Sequence, residues 1–201
     1  MSPDCKRQIT ESKKKSAISD WIESIVVAFI LAMLIRTFII QPFKIPSGSM
    51  RPTLLEGDHI FVNKFIYGLR IPLVGKRLIL WGLKSPQRGD VIVFIYPQDH
   101  KKNFIKRLIA FGGEKVKIKE GKIYINGQAL EDGVFGQIYY YNRGLYGNEQ
   151  EIIVPQNCYY VLGDNSFSSQ DSRYWGFVPD ENILGKAFLI FWPPFRIRLI
   201  K

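Results

Sequence analysis

The sequence predicts a mainly β protein: one N-terminal transmembrane α-helix followed by an antiparallel β-sheet domain that carries a loop-rich β insertion. Three observations predict it. Residues 25–35 are apolar without a break, and beyond Gln41 the apolar residues recur with period two in short runs. Those runs are bounded by Gly, Pro, Asn and Asp, the residues that turn chains.

A chain of 201 residues holds one ordinary domain plus an additional segment, and 46% apolar content is ample for a core, which excludes a disordered chain. The formal charge of +10 suits nucleic acid or an anionic lipid surface, and charge alone does not choose between them. Cys5 and Cys158 have neither metal-ligand spacing nor the pattern of a disulfide framework, so both read as incidental thiols.

The helix is predicted over 17–40. About 20 helical residues, rising about 1.5 Å each, match the roughly 30 Å hydrocarbon core of a bilayer. Asp20 and Glu23 stand at its start and Arg36 within a turn of its end, where charged heads reach the interface. A cleaved leader segment and a buried core helix are the competing readings. The largely apolar stretch Trp21 to Ile40 is longer than the roughly 7–15 residues of a cleavable leader, and the small Ser47 and Ser49 stand far beyond it. Residues 1–16 form a basic tail with Lys6, Arg7, Lys13, Lys14 and Lys15, which the positive-inside rule assigns to the cytoplasm, leaving 41–201 on the outer side.

Strands are predicted at 60–66, 90–96, 104–111, 159–162 and 186–191, each with one buried face. Val116 and Ile118 face Ile123 and Ile125 across Glu120-Gly121, a hairpin in which Gly supplies positive φ. Residues 131–150, with Tyr139, Tyr140 and Tyr141 among Gly and Asn, have no period and read as loop. They belong to an inserted elaboration over about 115–157 within a domain 41–201, and no internal repeat is present.

Three polar clusters carry candidate chemistry. The first, Pro46-Ser47-Gly48-Ser49-Met50-Arg51-Pro52-Thr53, is either a plain turn or a constrained one that presents a hydroxyl and a backbone N–H. A serine nucleophile needs a base, and the only histidines, His59 and His100, sit at a strand start and in a polar turn as solvated side chains. Lys106 interrupts the apolar run Phe104-Ile105-Lys106-Arg107-Leu108-Ile109. It is either an outward-facing strand lysine or a buried one, whose pKa burial lowers toward neutrality. The third cluster, Gly163-Asp164-Asn165-Ser166-Phe167-Ser168-Ser169-Gln170-Asp171-Ser172-Arg173, follows an apolar strand. It either ends that strand through side-chain to backbone bonds or delivers hydroxyls and an ion pair.

With Arg88-Gly89-Asp90-Val91, these segments, in this order after one N-terminal span, closely resemble the type I signal peptidases, or leader peptidases. The resemblance covers most of 41–175. It implies that Ser49 is the nucleophile and Lys106 the unprotonated general base, with the Ser49 N–H and the Ser47 hydroxyl stabilising the oxyanion. Ser169 is implied to hydrogen-bond and orient the Lys106 amine. Asp171 and Arg173 form a structural ion pair behind the site, with Arg107 beside them. The substrate is implied to add as a strand between residues 43–47 and 104–106. Phe43, Ile45, Pro46, Met50, Leu54, Phe104 and Ile105 then line shallow apolar pockets that suit small residues, typically Ala, at the first and third positions before the cut.

The implied activity is removal of signal peptides from exported preproteins at the bacterial cytoplasmic membrane. Membrane phospholipid and the vicinity of the secretion translocase are the partners, with no nucleic acid, no metal and no cofactor. Ser166 stands where the family usually has Arg, and Ala110, Gly112 and Glu114 replace a common Gly, Pro and Asp. Two alternatives stand beside this reading: a catalytically silent, membrane-tethered β module, and a self-cleaving repressor-type Ser/Lys protease. The second requires an N-terminal DNA-binding helical domain, which the apolar residues 16–40 do not supply.

Overall fold

The computed structural model describes residues 17–70, 77–78 and 84–200; the basic tail expected over 1–16, with Cys5, lies outside the described residues. In chain order the elements begin with helix α1 (Ala17–Phe38), then β1 (Ile40–Lys44), β2 (His59–Asn63), β3 (Leu69–Arg70) and β4 (Arg77–Leu78). There follow β5 (Val91–Ile95), β6 (Asn103–Phe111), β7 (Lys115–Lys119), β8 (Lys122–Ile125), β9 (Gln128–Ala129) and β10 (Ile152–Ile153). The chain closes with β11 (Cys158–Leu162), the single-turn helix α2 (Ser172–Trp175), β12 (Val178–Pro179), β13 (Ile183–Trp192) and β14 (Arg198–Leu199).

The main sheet runs in the order β1-β2-β13-β5-β6-β11-β12, with β14 on β13, and every pairing is antiparallel. The mainly β antiparallel expectation therefore holds. Strand β5 lies mid-sheet with both faces covered, which is why Val-Ile-Val-Phe-Ile reads as a continuous apolar run. Val91 and Val93 join one core cluster with Ile60, Val62, Met50 and Leu54, while Ile92 and Phe94 join another with Leu108, Val161 and Ile183. Strand β1 is at the sheet edge, where Pro42, lacking an N–H, is tolerated. The run expected to continue to Ile66 stops at Asn63, whose Oδ1 accepts the N–H groups of Phe65 and Ile66 at 3.0 Å each and turns the chain.

The hairpin β7–β8 has the register read from the sequence, Val116 opposite Ile125 and Ile118 opposite Ile123, with Glu120 and Gly121 at φ 52° and 78°. It is the centre of a second sheet, β10-β7-β8-β9. That sheet buries its apolar face against Ile109 of β6 and Tyr160 and Leu162 of β11, so the elaboration is packed onto the two strands that flank the site.

Helix α1 forms where a helix was expected, and its apolar side chains are exposed, among them Trp21, Ile25, Phe29 and Met33. Among the described residues, however, no helix is long and apolar enough to cross a membrane.

Candidate active site

Ser49 sits in a single 3-10 turn, Gly48–Met50, entered from an extended Ser47 at φ −142°, ψ 156°. The turn is held by Arg51 N–H donating to Gly48 O at 3.2 Å and by Leu54 N–H donating to Met50 O at 2.9 Å. Met50 and Leu54 are wholly buried and anchor the turn in the core below the sheet, leaving Ser49 8% exposed at the rim.

Lys106 lies mid-way along β6, opposite Ile92, and is 4% exposed. Its Nζ donates to Ser49 Oγ at 2.7 Å and stands 5.6 Å from the centre of the Phe104 ring. Burial lowers its pKa from 10.5 to about 8. The carboxylates of Asp171 and Asp164 oppose that shift, and the Arg173 guanidinium adds to it.

The loop after β11 straps the Ser49 turn in place. Asn165 donates twice to it, from its backbone N–H to Ser49 O at 3.0 Å and from Nδ2 to Gly48 O at 3.1 Å. Asp164 accepts from Thr53 Oγ1, just beyond the turn, and takes a two-pronged ion pair from Arg107 (Nε to Oδ1 2.8 Å, Nη2 to Oδ2 2.6 Å). Arg107 is thus bound to Asp164, while Asp171 and Arg173 pair with each other (Nε to Oδ1 2.8 Å, Nη2 to Oδ2 2.9 Å). Asp171 also accepts the Gly163 N–H at 3.0 Å and caps α2.

Ser169 is buried, but its Oγ has no hydrogen-bond partner among the described residues, so the expected bond to Lys106 is not formed. The hydroxyl rests instead over Gly163. A Cβ built on that glycine would fall 2.2 Å from Ser169 Oγ and 2.5 Å from Ser49 O, so only a glycine fits between them.

A cleft of about 420 Å³ opens over these groups, lined by residues 46–49, Glu56, residues 103–106, Ser168 and Gln170. It brings Pro46, Ser47, Ser49, Phe104, Ile105 and Lys106 together. It does not include Ile45, Met50 and Leu54, which are buried in the core, nor Phe43, half-buried against that same core. Neither histidine reaches it: His59 packs on Phe191 with ring centres 5.9 Å apart, and His100 is exposed. Glu56 and Asn103, and Ser168 and Gln170 within the third polar cluster, were not foreseen as cleft residues; none has a periodic or spacing signal of its own.

The family model described as signal peptidase, peptidase S26, matches residues 18–192. The chain belongs to that family. The signal peptidase I of Pseudomonas fluorescens is 38% identical over 92% of this chain and 77% of its own, and that of Pseudomonas aeruginosa is 37% identical over 90% and 75%. A solved signal peptidase I from Enterococcus faecalis V583 is 33% identical, with TM-score 0.44 over 52% of this chain and 98% of that one. The chain accordingly carries signal peptidase activity, an endopeptidase function directed at preproteins with signal peptides.

As a signal peptidase it supports its site with substituted residues. Ser166 accepts from Arg173 Nη1 at 2.8 Å and from Tyr141 N–H at 2.9 Å, tying the inserted loop to the buried ion pair. Glu114 pairs with Arg88 at 2.7 Å and accepts the Phe111 N–H, closing the end of β6. Gly112 fits because a Cβ there would meet Pro155 O at 2.9 Å, and Ala110 is buried where β6 meets β11.

Proposed function

We propose that the peptidase works through a Ser49/Lys106 dyad on an enzyme anchored in the bacterial cytoplasmic membrane. The observation that carries the reading is the 2.7 Å contact of a buried lysine amine with a serine hydroxyl at the floor of an open cleft. The neutral Lys106 amine takes the Ser49 hydroxyl proton as Oγ adds to the carbonyl carbon of the residue before the cut. The Ser49 N–H and Ser47 hydroxyl stabilise the oxyanion. Lys106 then gives the proton to the departing amine, freeing the mature chain, and next takes a proton from the water that attacks the acyl group and returns it to Ser49 Oγ as the signal peptide leaves. Ser169, whose Oγ is buried beside Gly163 in the same loop, is read as steadying the amine. Asp171 and Arg173 hold the loop behind it.

The substrate adds as a strand between residues 43–47 and 104–106. Pro46, Phe104 and Ile105 form shallow walls over a floor closed by core residues, which suits Ala or another small residue at the first and third positions before the cut. Helix α1 supplies the anchor, since a helix apolar on all sides and uncovered by the domain is suited to lipid. In this topology 1–16 is cytoplasmic, 17–40 crosses the membrane, and 41–201 works on the periplasmic or extracellular side near the translocase, with 115–157 as its elaboration. Exposed Trp192, Phe195, Ile197 and Leu199 add apolar surface for phospholipid. The test is cleavage of a purified preprotein in detergent with the product N-terminus sequenced. A cut after a small residue supports the reading, and a cut after large residues contradicts it.

A further inference from the structure

Peptide units are planar and trans, so a carbonyl oxygen and the N–H of the same unit point in opposite directions. The Gly48 oxygen and the Ser49 N–H belong to one such unit. Gly48 O accepts from Asn165 Nδ2 at 3.1 Å and, more distantly, from Arg51 N–H at 3.2 Å. Ser49 O accepts from Asn165 N–H at 3.0 Å. The Ser49 N–H itself donates to no backbone acceptor among the described residues. It is thus directed away from Asn165 and left unspent in a residue that lines the cleft.

From this geometry we infer that Asn165 is a positioning residue for the oxyanion hole: its side chain locks the Gly48–Ser49 peptide so that the Ser49 N–H, and not the Gly48 carbonyl, faces the reacting carbonyl. The inference rests on the reading of Ser49 as nucleophile and oxyanion donor. A rotation of this one peptide would replace a donor by an acceptor where negative charge develops, raising the barrier with little effect on substrate docking. Asp164 gives the lock its rigidity, because Thr53 and Arg107 tie the residue before Asn165 to the same turn.

The test compares Asn165→Asp, which puts an oxygen against the Gly48 carbonyl, with Asn165→Ala, which only removes the donor. In Asn165→Asp, kcat on a signal-peptide substrate should fall roughly 10- to 100-fold, with KM within about twofold of wild type. Asn165→Ala should lose less, because the Arg51 bond remains. Affinity for a peptide aldehyde, which adds to Ser49 and mimics the oxyanion, should fall with kcat/KM, whereas affinity for an uncleavable ground-state peptide should not. The rising limb of the pH profile should stay near the Lys106 value of about 8, since burial of the amine is untouched. Wild-type kcat in both variants, or equal losses of aldehyde and ground-state peptide binding, would overturn the inference. Wild-type kcat in these variants alongside an inactive Ser49→Ala would leave the nucleophile assignment standing. An active Ser49→Ala would remove the reading beneath it.

Discussion

Lys106 Nζ and Ser49 Oγ, 57 residues apart in sequence, lie 2.7 Å from each other in a position from which solvent is almost excluded. The contact joins a strand of the main sheet to a 3-10 turn beside it, and burial holds the amine at a pKa of about 8.

Replacing either partner separates chemistry from folding. Ser49→Ala is expected to reduce cleavage by roughly 10⁴-fold or more while the protein keeps its thermal transition, because one hydroxyl at the rim contributes little to packing. Ser47→Ala should be milder, since a backbone donor remains and one oxyanion donor accounts for about 3 kcal/mol. Rates of purified variants on a preprotein, with melting curves beside them, check both.

Lys106→Met tests the cost of burying the amine. Between pH 8 and 10.5 the unfolded chain holds the proton and the folded chain does not, so unfolding takes up a proton and the lysine's contribution to stability rises with pH across that window. Below pH 8 the penalty is present in full. The methionine variant should therefore melt above wild type at pH 7, with the difference shrinking toward pH 10.5. A difference that grows with pH would refute the assignment of the shift to burial.

Gly163→Ala should disrupt the site directly, because the new Cβ falls 2.5 Å from Ser49 O and 2.2 Å from Ser169 Oγ. Overpacking of this kind costs about 1–3 kcal/mol and moves Ser49. Gly127→Ala meets no atom within 4 Å and carries only the strain of φ +82°, so it serves as the control. Urea midpoints and cleavage rates should fall together for the first variant, whereas the second should lose stability alone.

Two further variants divide the polar loop. Asp171→Ala strands the Arg173 guanidinium and the Gly163 N–H in the interior, and should destabilise by about 3–5 kcal/mol. Ser169→Ala removes a buried hydroxyl that has no partner among the described residues, so it should not lower the melting temperature. Its cleavage rate should nevertheless fall if the hydroxyl steadies Lys106 during turnover. A full wild-type rate would limit Ser169 to packing.

The β7–β8 hairpin and strands β2, β5, β6, β11 and β13 were legible because period two and a Glu-Gly turn are local signals, whereas the edge strand β1 and the two-residue strands β9, β10, β12 and β14 are too short or too polar to show a period. Helix α1 was legible as a helix for the same reason. Lys106 was legible only through its resemblance to a family, since alternation alone does not say which face of β6 is covered. The partner of Arg107 was not legible at all. Asp164 and Asp171 lie in one loop, and only the path of that loop past Thr53 decides between them. Met50 and Leu54 were expected to line the substrate pockets because the family resemblance implied it. Both are wholly buried in the core instead, Met50 as the last residue of the 3-10 turn, which a linear reading cannot foresee.

The most direct test of the central claim, that burial makes Lys106 a base, is kcat/KM against pH on a short signal-peptide substrate. Wild type should show a rising limb with an apparent pKa near 8, and a polar substitution at Ile105, in the cleft wall beside the amine, should move the limb upward by readmitting water. A limb near 10.5, or one that does not move with Ile105, would contradict the account.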